Sequence, residues 1–146
     1  MKRALAIDPS YAPAMALGAY CYAERRVQRW TQHIAEEGIA GASLASRAVE
    51  LGKGDGNVLW MCAYAAWQLE MDAKRARELA ALSLAINPNS AMALTMLAYV
   101  EICPNANPTK GWELIRRAER PRDPRGWFTS LEWPSLITWR TDSMRP

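Results

Sequence analysis

Apolar residues along this chain recur at three- and four-residue steps, and short polar or Gly/Pro-rich stops interrupt that rhythm. From Ala14 to about Arg26, Met15, Gly18, Ala19 and Tyr22 fall at i, i+3, i+4 and i+7, the stripe of a helix packed on one side. Met1 to Ile7 reads as the last turns of a preceding helix, stopped at Asp8-Pro9. The next helix is expected to start at Ser10, with Pro13 tolerated only in its first turn. Gly18 and Ala19 are small where two helices must approach closely. Arg25 to Glu37 is polar and reads as an insertion, a loop or an extra helical turn. Gly41 to Leu51 then carries Leu44, Ala45, Ala48 and Leu51 on one face.

Gly52-Lys-Gly-Asp-Gly cannot continue a helix cheaply and predicts a turn. The clearest helix pair is Val58 to Glu70 with Ala73 to Ile86, where Trp60, Ala63, Tyr64 and Trp67 are expected to face Ala76, Ala80, Ser83 and Ile86. Asn87-Pro88-Asn89-Ser90 ends that pair, and Ser90 or Asn89 can cap a helix from Ala91 to Cys103. After the turn Pro104-Asn-Ala-Asn-Pro108, a short helix is predicted from about Thr109 to Arg120. Trp127 to Pro146 has no helical periodicity and crowds Trp133-Pro134 and Trp139 into a polar run.

The stops also repeat. Arg3-Ala-Leu-Ala-Ile-Asp-Pro-Ser returns as Leu82-Ser-Leu-Ala-Ile-Asn-Pro-Asn, with weaker copies at Arg47-Ala-Val-Glu-Leu-Gly and Arg117-Ala-Glu-Arg-Pro. From Ile7 to Leu51 the interval is 44 residues, and from Leu51 to Ile86 it is 35. A helix-pair repeat of about 34 residues fits the second interval, and that period with roughly ten inserted residues fits the first. Units of this kind bury their apolar faces against neighbouring units and present an extended binding surface.

Composition narrows the fold. Half of the residues are hydrophobic, largely Ala, Leu and Met, with seven Trp against one Phe. Helix formers therefore dominate and β-branched residues are too few for a sheet, so the chain is expected to be all-α. Its 146 residues make one domain by length.

The second pair resembles the tetratricopeptide repeat family. Trp60, Trp67, Ala76 and Pro88 stand where that family carries a large residue, an aromatic, a small residue and its proline. Ser83 replaces the usual alanine, and Tyr64 a small residue. Ala4 and Pro9 fit an incomplete first unit, and Leu97, Ala98 and Ala118 fit a third, so the likeness covers roughly Arg3 to Arg125. It implies an α-solenoid of antiparallel helix pairs over residues 1–125, with the insertion at about 25–38, and an irregular segment over 126–146.

In that family the first helix of each pair lines a concave groove. The resemblance thus assigns partner contacts to Ala16, Tyr20 and Glu24, to Met61, Ala65 and Gln68, and to Thr95, Tyr99 and Ile102. The Lys/Asn set with which some members clamp a peptide carboxylate is missing, so a helix or extended peptide with apolar anchors fits better. Self-association is the other expected use of the surface.

A narrower likeness is to the tetratricopeptide regions C-terminal to α-proteobacterial class III adenylate/guanylate cyclases, or to winged-helix regulators. It is carried by Arg47-Ala-Val-Glu-Leu-Gly-Lys, Ala85-Ile-Asn-Pro-Asn-Ser-Ala and Arg117-Ala-Glu-Arg. This implies a fragment of a larger signalling protein or, alternatively, a regulatory appendage whose cyclase domain is not in this chain. None of the cyclase's metal-binding or nucleotide-selecting residues has a matching motif. Residues 126–146 break the pattern where another unit should begin. Read two bases along, a permitted set of codons for Leu131 to Pro146 spells a segment similar to the first helix and turn of such a unit, which suggests a frameshifted tail.

Residues with chemistry are few. His33 lies near Glu36 and Glu37, as an acid/base or metal fragment or as a solvated side chain. The Gly52 to Gly56 run could cradle phosphate, but it follows a helix and lacks a Gly-Lys-Ser/Thr ending. No nucleophile elbow or paired-cysteine motif is present, and no enzymatic activity, cofactor or metal is expected. Cys21, Cys62 and Cys103 lie far apart in apolar helical sequence and read as core thiols.

A net charge of +3 does not by itself call for a polyanion. Arg116, Arg117, Arg120, Arg122 and Arg125 cluster, either as a solvated helix end or as a nucleic-acid contact; the former is expected. No apolar run reaches the ~18 to 20 residues needed to span a bilayer, and no cleavable leader is visible, so the chain reads as cytoplasmic.

Overall fold

The computed structural model of the protein describes residues 2–103 and 107–118. These form α1 (Lys2–Ile7), α2 (Ala12–Val27), α3 (Ile34–Leu51), α4 (Gly56–Glu70), α5 (Ala73–Ile86), α6 (Ala91–Ile102) and α7 (Pro108–Ala118). Among the described residues there is no strand, and the chain is all-helical. The expected irregular or frameshifted tail at 126–146 lies outside the described residues, as do Arg120, Arg122 and Arg125.

Local chemistry sets most of the helix ends. Asp55 accepts from Asn57 N at 2.8 Å, Asp72 from Arg75 N at 2.9 Å, and Ser90 from Ala93 N at 3.3 Å, so each of α4, α5 and α6 starts on a side-chain cap. Asn107 does the same for α7 through Lys110 N, at 3.3 Å. The expected start of α2 at Ser10 is corrected: Tyr11 occupies the cap position and makes no side-chain bond. The Ser10 hydroxyl is spent on Asp8 Oδ1, 2.6 Å away.

The end of α2 is a Schellman turn. Trp30 N donates to Arg25 O at 2.8 Å and Arg29 N to Arg26 O at 3.2 Å, with Arg29 held at φ 57°. This uses only residues 28–33 as a connection, and α3 begins at Ile34. The extra length of the first unit is therefore divided between that connection and the early turns of α3. Arg25 bridges it, with Nε and Nη2 at 2.9 and 2.8 Å from the two Glu37 carboxylate oxygens. That two-pronged bond holds Glu37 below the usual carboxylate range and raises the Arg25 guanidinium.

The α4–α5 connection is only Met71 and Asp72, and Met71 too takes φ 57°. The two helices must fold back on one another as an αα-hairpin. Three such pairings, α2 on α3, α4 on α5 and α6 on α7, make the most extensive contacts. Beyond these, α4 lies against α2, α3 and α6, α5 against α6, and α1 against α2. Substantial contacts therefore join only helices one or two steps apart in the chain.

The seams are lined with small residues. Ala12, Ala16, Ala19 and Ala23 form a buried stripe along α2, and Gly18 is buried beside them. Opposite lie Ala45 and Ala48 of α3 and Leu59, Cys62, Ala63 and Ala66 of α4, all in one core cluster. Gly41 marks the tightest approach: a Cβ there would run into Leu69 Cδ1 of α4 and stand 3.0 Å from Tyr22 Cβ of α2. Ser83 is fully buried and donates to Gly56 O at 2.7 Å, tying α5 to the first turn of α4. A second, smaller cluster joins Leu94 and Ala98 of α6 to Leu114 of α7.

Several expected core positions are corrected. Leu51 and Ile86, like Ile7, close their helices exposed, at 53%, 47% and 86%. Each is the last residue of its helix, beyond the reach of the neighbouring pair. The buried Gly52 takes the place expected of Leu51, with a Cβ there meeting Val58 and Ala12. Cys21 is exposed and Cys103 partly so; only Cys62 is a core thiol, and burial pushes it up to about 12.

Candidate interaction face

The nine residues assigned to a groove separate in the structure into distinct environments. Ala16 and Ala65 have no accessible surface, which corrects their assignment. An alanine on α2 or α4 that lets the two helices approach cannot also reach a partner. Ile102 is also redirected, because its side chain packs where a Cβ on Gly111 of α7 would stand. Met61 is half-buried at the edge of the core, and Thr95 turns its hydroxyl to its own helix, donating to Ala91 O at 2.8 Å.

Tyr20, Glu24, Gln68 and Tyr99 are brought together by aromatic residues of α4. The Tyr20 ring meets Trp60 edge to face at 5.5 Å and tilts against Tyr64 at 5.1 Å. One step along, Trp67 meets Tyr99 edge to face at 5.9 Å. Such geometry places the positive edge of one ring on the negative face of another. Trp60 Nε1 donates to Asn57 Oδ1 at 3.3 Å, which fixes the indole against its own helix.

Polar atoms thread this aromatic band. Glu24, one turn after Tyr20 on α2, bears on the phenols of both Tyr20 and Tyr64 of α4. Burial, followed by Glu24, pushes the Tyr20 phenol up to about 12 and Tyr64 higher still. Burial likewise raises Tyr99, with Trp67 and Gln68 of α4 acting in the opposite direction. Tyr20, Trp60 and Tyr99 are only partly buried, whereas Tyr64 and Trp67 are buried.

The sequence reading missed Trp60, Tyr64 and Trp67 as members of this face by turning them toward α5. Their spacing of four and then three residues was the available signal, since it puts all three on one stripe of α4. Only tertiary placement shows that the stripe meets Tyr20 of α2 and Tyr99 of α6.

Other candidate chemistry does not gather. His33 Nδ1 lies 3.6 Å from Glu36 Oε2 with both side chains exposed, and among the described residues no three metal-ligating groups converge. The Gly52 to Gly56 loop follows α3, and Asp55 fills the N-terminus of α4, where an anion would have to sit. An open depression of about 370 Å³ near Tyr11, Gly52 and Asp55 has no convergent ionic pair. Arg116 and Arg117 are exposed in the last turn of α7. Among the described residues no helix is long and apolar enough to cross a membrane. Comparison with protein-family models, with curated proteins and with solved structures finds no match.

Proposed function

We propose that the chain is a protein-interaction module in which successive helix pairs, α2/α3, α4/α5 and α6/α7, stack as a tetratricopeptide-like solenoid. One observation carries the reading: three aromatic residues from three different first helices, Tyr20, Trp60 and Tyr99, each only partly buried, line one face. Large aromatic side chains left at a surface are costly in water and are the residue types that dominate binding energy at interfaces. Stacked pairs are also the arrangement that produces an extended surface rather than an enclosed pocket. The likeness of Arg47 to Lys53 and Ala85 to Ala91 to repeat regions of signalling proteins supports a regulatory setting.

The test is a peptide selection on the full chain, followed by titration of the selected peptides. Saturable binding should weaken at least tenfold in Tyr20→Ala and in Tyr99→Ala, with the helical circular dichroism unchanged. Undiminished binding in both folded variants would move the interface elsewhere.

A further inference from the structure

One helix is attached differently from its neighbours. Each of α2 to α6 packs substantially on at least two other helices, whereas among the described residues α7 packs substantially on α6 alone. Gly111 and Leu114 are its buried residues, and Leu94 and Ala98 of α6 make the seat, with Leu97 and Ile115 at the margin.

That seat is particular about its occupant. Gly111 lies against Ile102 and the Ala98 carbonyl, where a Cβ would run into the first and stand 3.2 Å from the oxygen of the second. Beside it Lys110 Nζ meets Glu101 Oε1 at 3.0 Å, a charge match between helix and seat. An apolar groove that demands a glycine and offers a carboxylate fits the helix this chain carries, and every copy of the chain carries it.

Withdrawal of α7 strands no charge. Arg77 of α5 still approaches Glu101 at 3.3 Å, and the Lys110 side chain is already 53% exposed. The helix takes its own cap with it, since Asn107 accepts from Lys110 N. At 11 residues it falls short of the ~12–15 at which a helix persists alone in water, so it is helical only where it is seated. An empty seat would in turn bare Leu94 and Ala98.

We propose that α7 is exchanged between two copies of this chain, each α7 filling the seat on the other's α6. The contacts made between copies are those made within one, so the connection and the concentration decide between the two forms. A link of a few residues presents α7 to its own seat at an effective concentration on the order of mM, so closed monomers prevail well below ~1 mM and exchanged pairs form near it. The exchange does not depend on the interaction reading above. It would set two Tyr20 faces on one particle.

The test uses the full chain and a variant with a shortened link, in which Asn105 and Ala106 are deleted and the Asn107 cap is kept. A link that no longer spans from α6 to α7 lowers the effective concentration within one copy toward zero. Light scattering is expected to show dimer at about 0.05 mM for the shortened chain but only near ~1 mM for the parent, with similar circular dichroism. Glu101→Lys and Lys110→Glu, made separately in the shortened chain, each set like charges together in a self-pair. In a mixed pair every seat receives a helix of opposite charge, so heterodimers should outnumber the homodimers about tenfold.

A shortened chain that stays folded and monomeric would overturn the exchange, as would aggregation without a discrete dimer. Heterodimers in no more than statistical amount would also overturn it, because the dimer would then be held elsewhere. If a charge variant does not fold, the mass of the shortened chain decides alone. None of these readouts uses a peptide ligand, so the Tyr20 face stands or falls separately.

Discussion

Lys110 reaches from the first turn of α7 to Glu101 on α6, with Nζ 3.0 Å from Oε1. The Glu101 side chain is 6% exposed, and Arg77 of α5 approaches the same oxygen at 3.3 Å. One buried acid thus ties three helices together through two cations whose own side chains remain partly solvated.

That asymmetry sets the expected order of damage. Lys110→Met or Arg77→Met alone should cost about 1 kcal/mol, because the other cation still neutralises Glu101. The double variant strands a buried carboxylate and should cost about 3 kcal/mol, more than the sum of the singles. Urea denaturation of the four proteins measures the coupling. Strict additivity would mean that the two cations act independently.

Gly41 should be the least replaceable glycine of α3. Alanine gains up to about 1 kcal/mol of helix propensity but must displace Leu69 and press on Tyr22 Cβ, a strain of about 1–3 kcal/mol. Gly41→Ala is therefore expected to lower the thermal midpoint. Gly54→Ala, with nothing within 4 Å of its Cβ, is expected to leave it unchanged or slightly raised.

Two left-handed residues offer the opposite result. Arg29 and Met71, both at φ 57°, carry a conformation that costs a non-glycine residue about 1–2 kcal/mol. Glycine relieves that cost at the expense of about 0.5–1 kcal/mol of chain entropy, so Arg29→Gly and Met71→Gly should each stabilise by about 0.5 kcal/mol. Urea midpoints would register the gain. Arg29→Val should move the midpoint the other way.

Alkaline pH should loosen the aromatic band. Tyr20 and Tyr64 keep their protons in the folded chain above the ordinary phenol value of 10, whereas the unfolded chain releases them. The folded state then binds more protons, so stability falls as pH rises. The contribution of Tyr20 is complete below about pH 10 and is lost as pH approaches about 12, the value to which its phenol is raised. The slope for each phenol cannot exceed about 1.4 kcal/mol per pH unit. Thermal midpoints between pH 9 and 11 should fall less steeply in Tyr64→Phe than in the parent chain.

Much of the helical pattern was legible because period and stops agreed. Ala73 to Ile86 was readable to the residue, since Asp72 caps it and Asn87-Pro88 ends it. The Ser90 cap could be named as one of two candidates for the same reason. The start of α3 was placed late, at Gly41: the polar stretch around Glu36 and Glu37 reads as a loop or an extra helical turn until Arg25 is seen holding Glu37 from across the connection. Facing was harder than existence. Tyr20, Glu24, Gln68 and Tyr99 were placed on one surface by analogy, but analogy also nominated Ala16 and Ala65, which are sealed in the seam. A one-dimensional pattern marks a stripe as apolar without saying which of two neighbours will cover it.

Among the described residues α2 to α6 share one core cluster, whereas α7 packs chiefly on α6 through the smaller cluster of Leu94, Ala98 and Leu114. A break between α6 and α7, at Gly111 or Lys110, has no direct route to the seam between α2 and α3. Pulled from its C-terminal side, such a molecule should surrender α7 first while Tyr20, Trp60 and Glu24 stay in register. Damage at one end would shorten the surface without dismantling it.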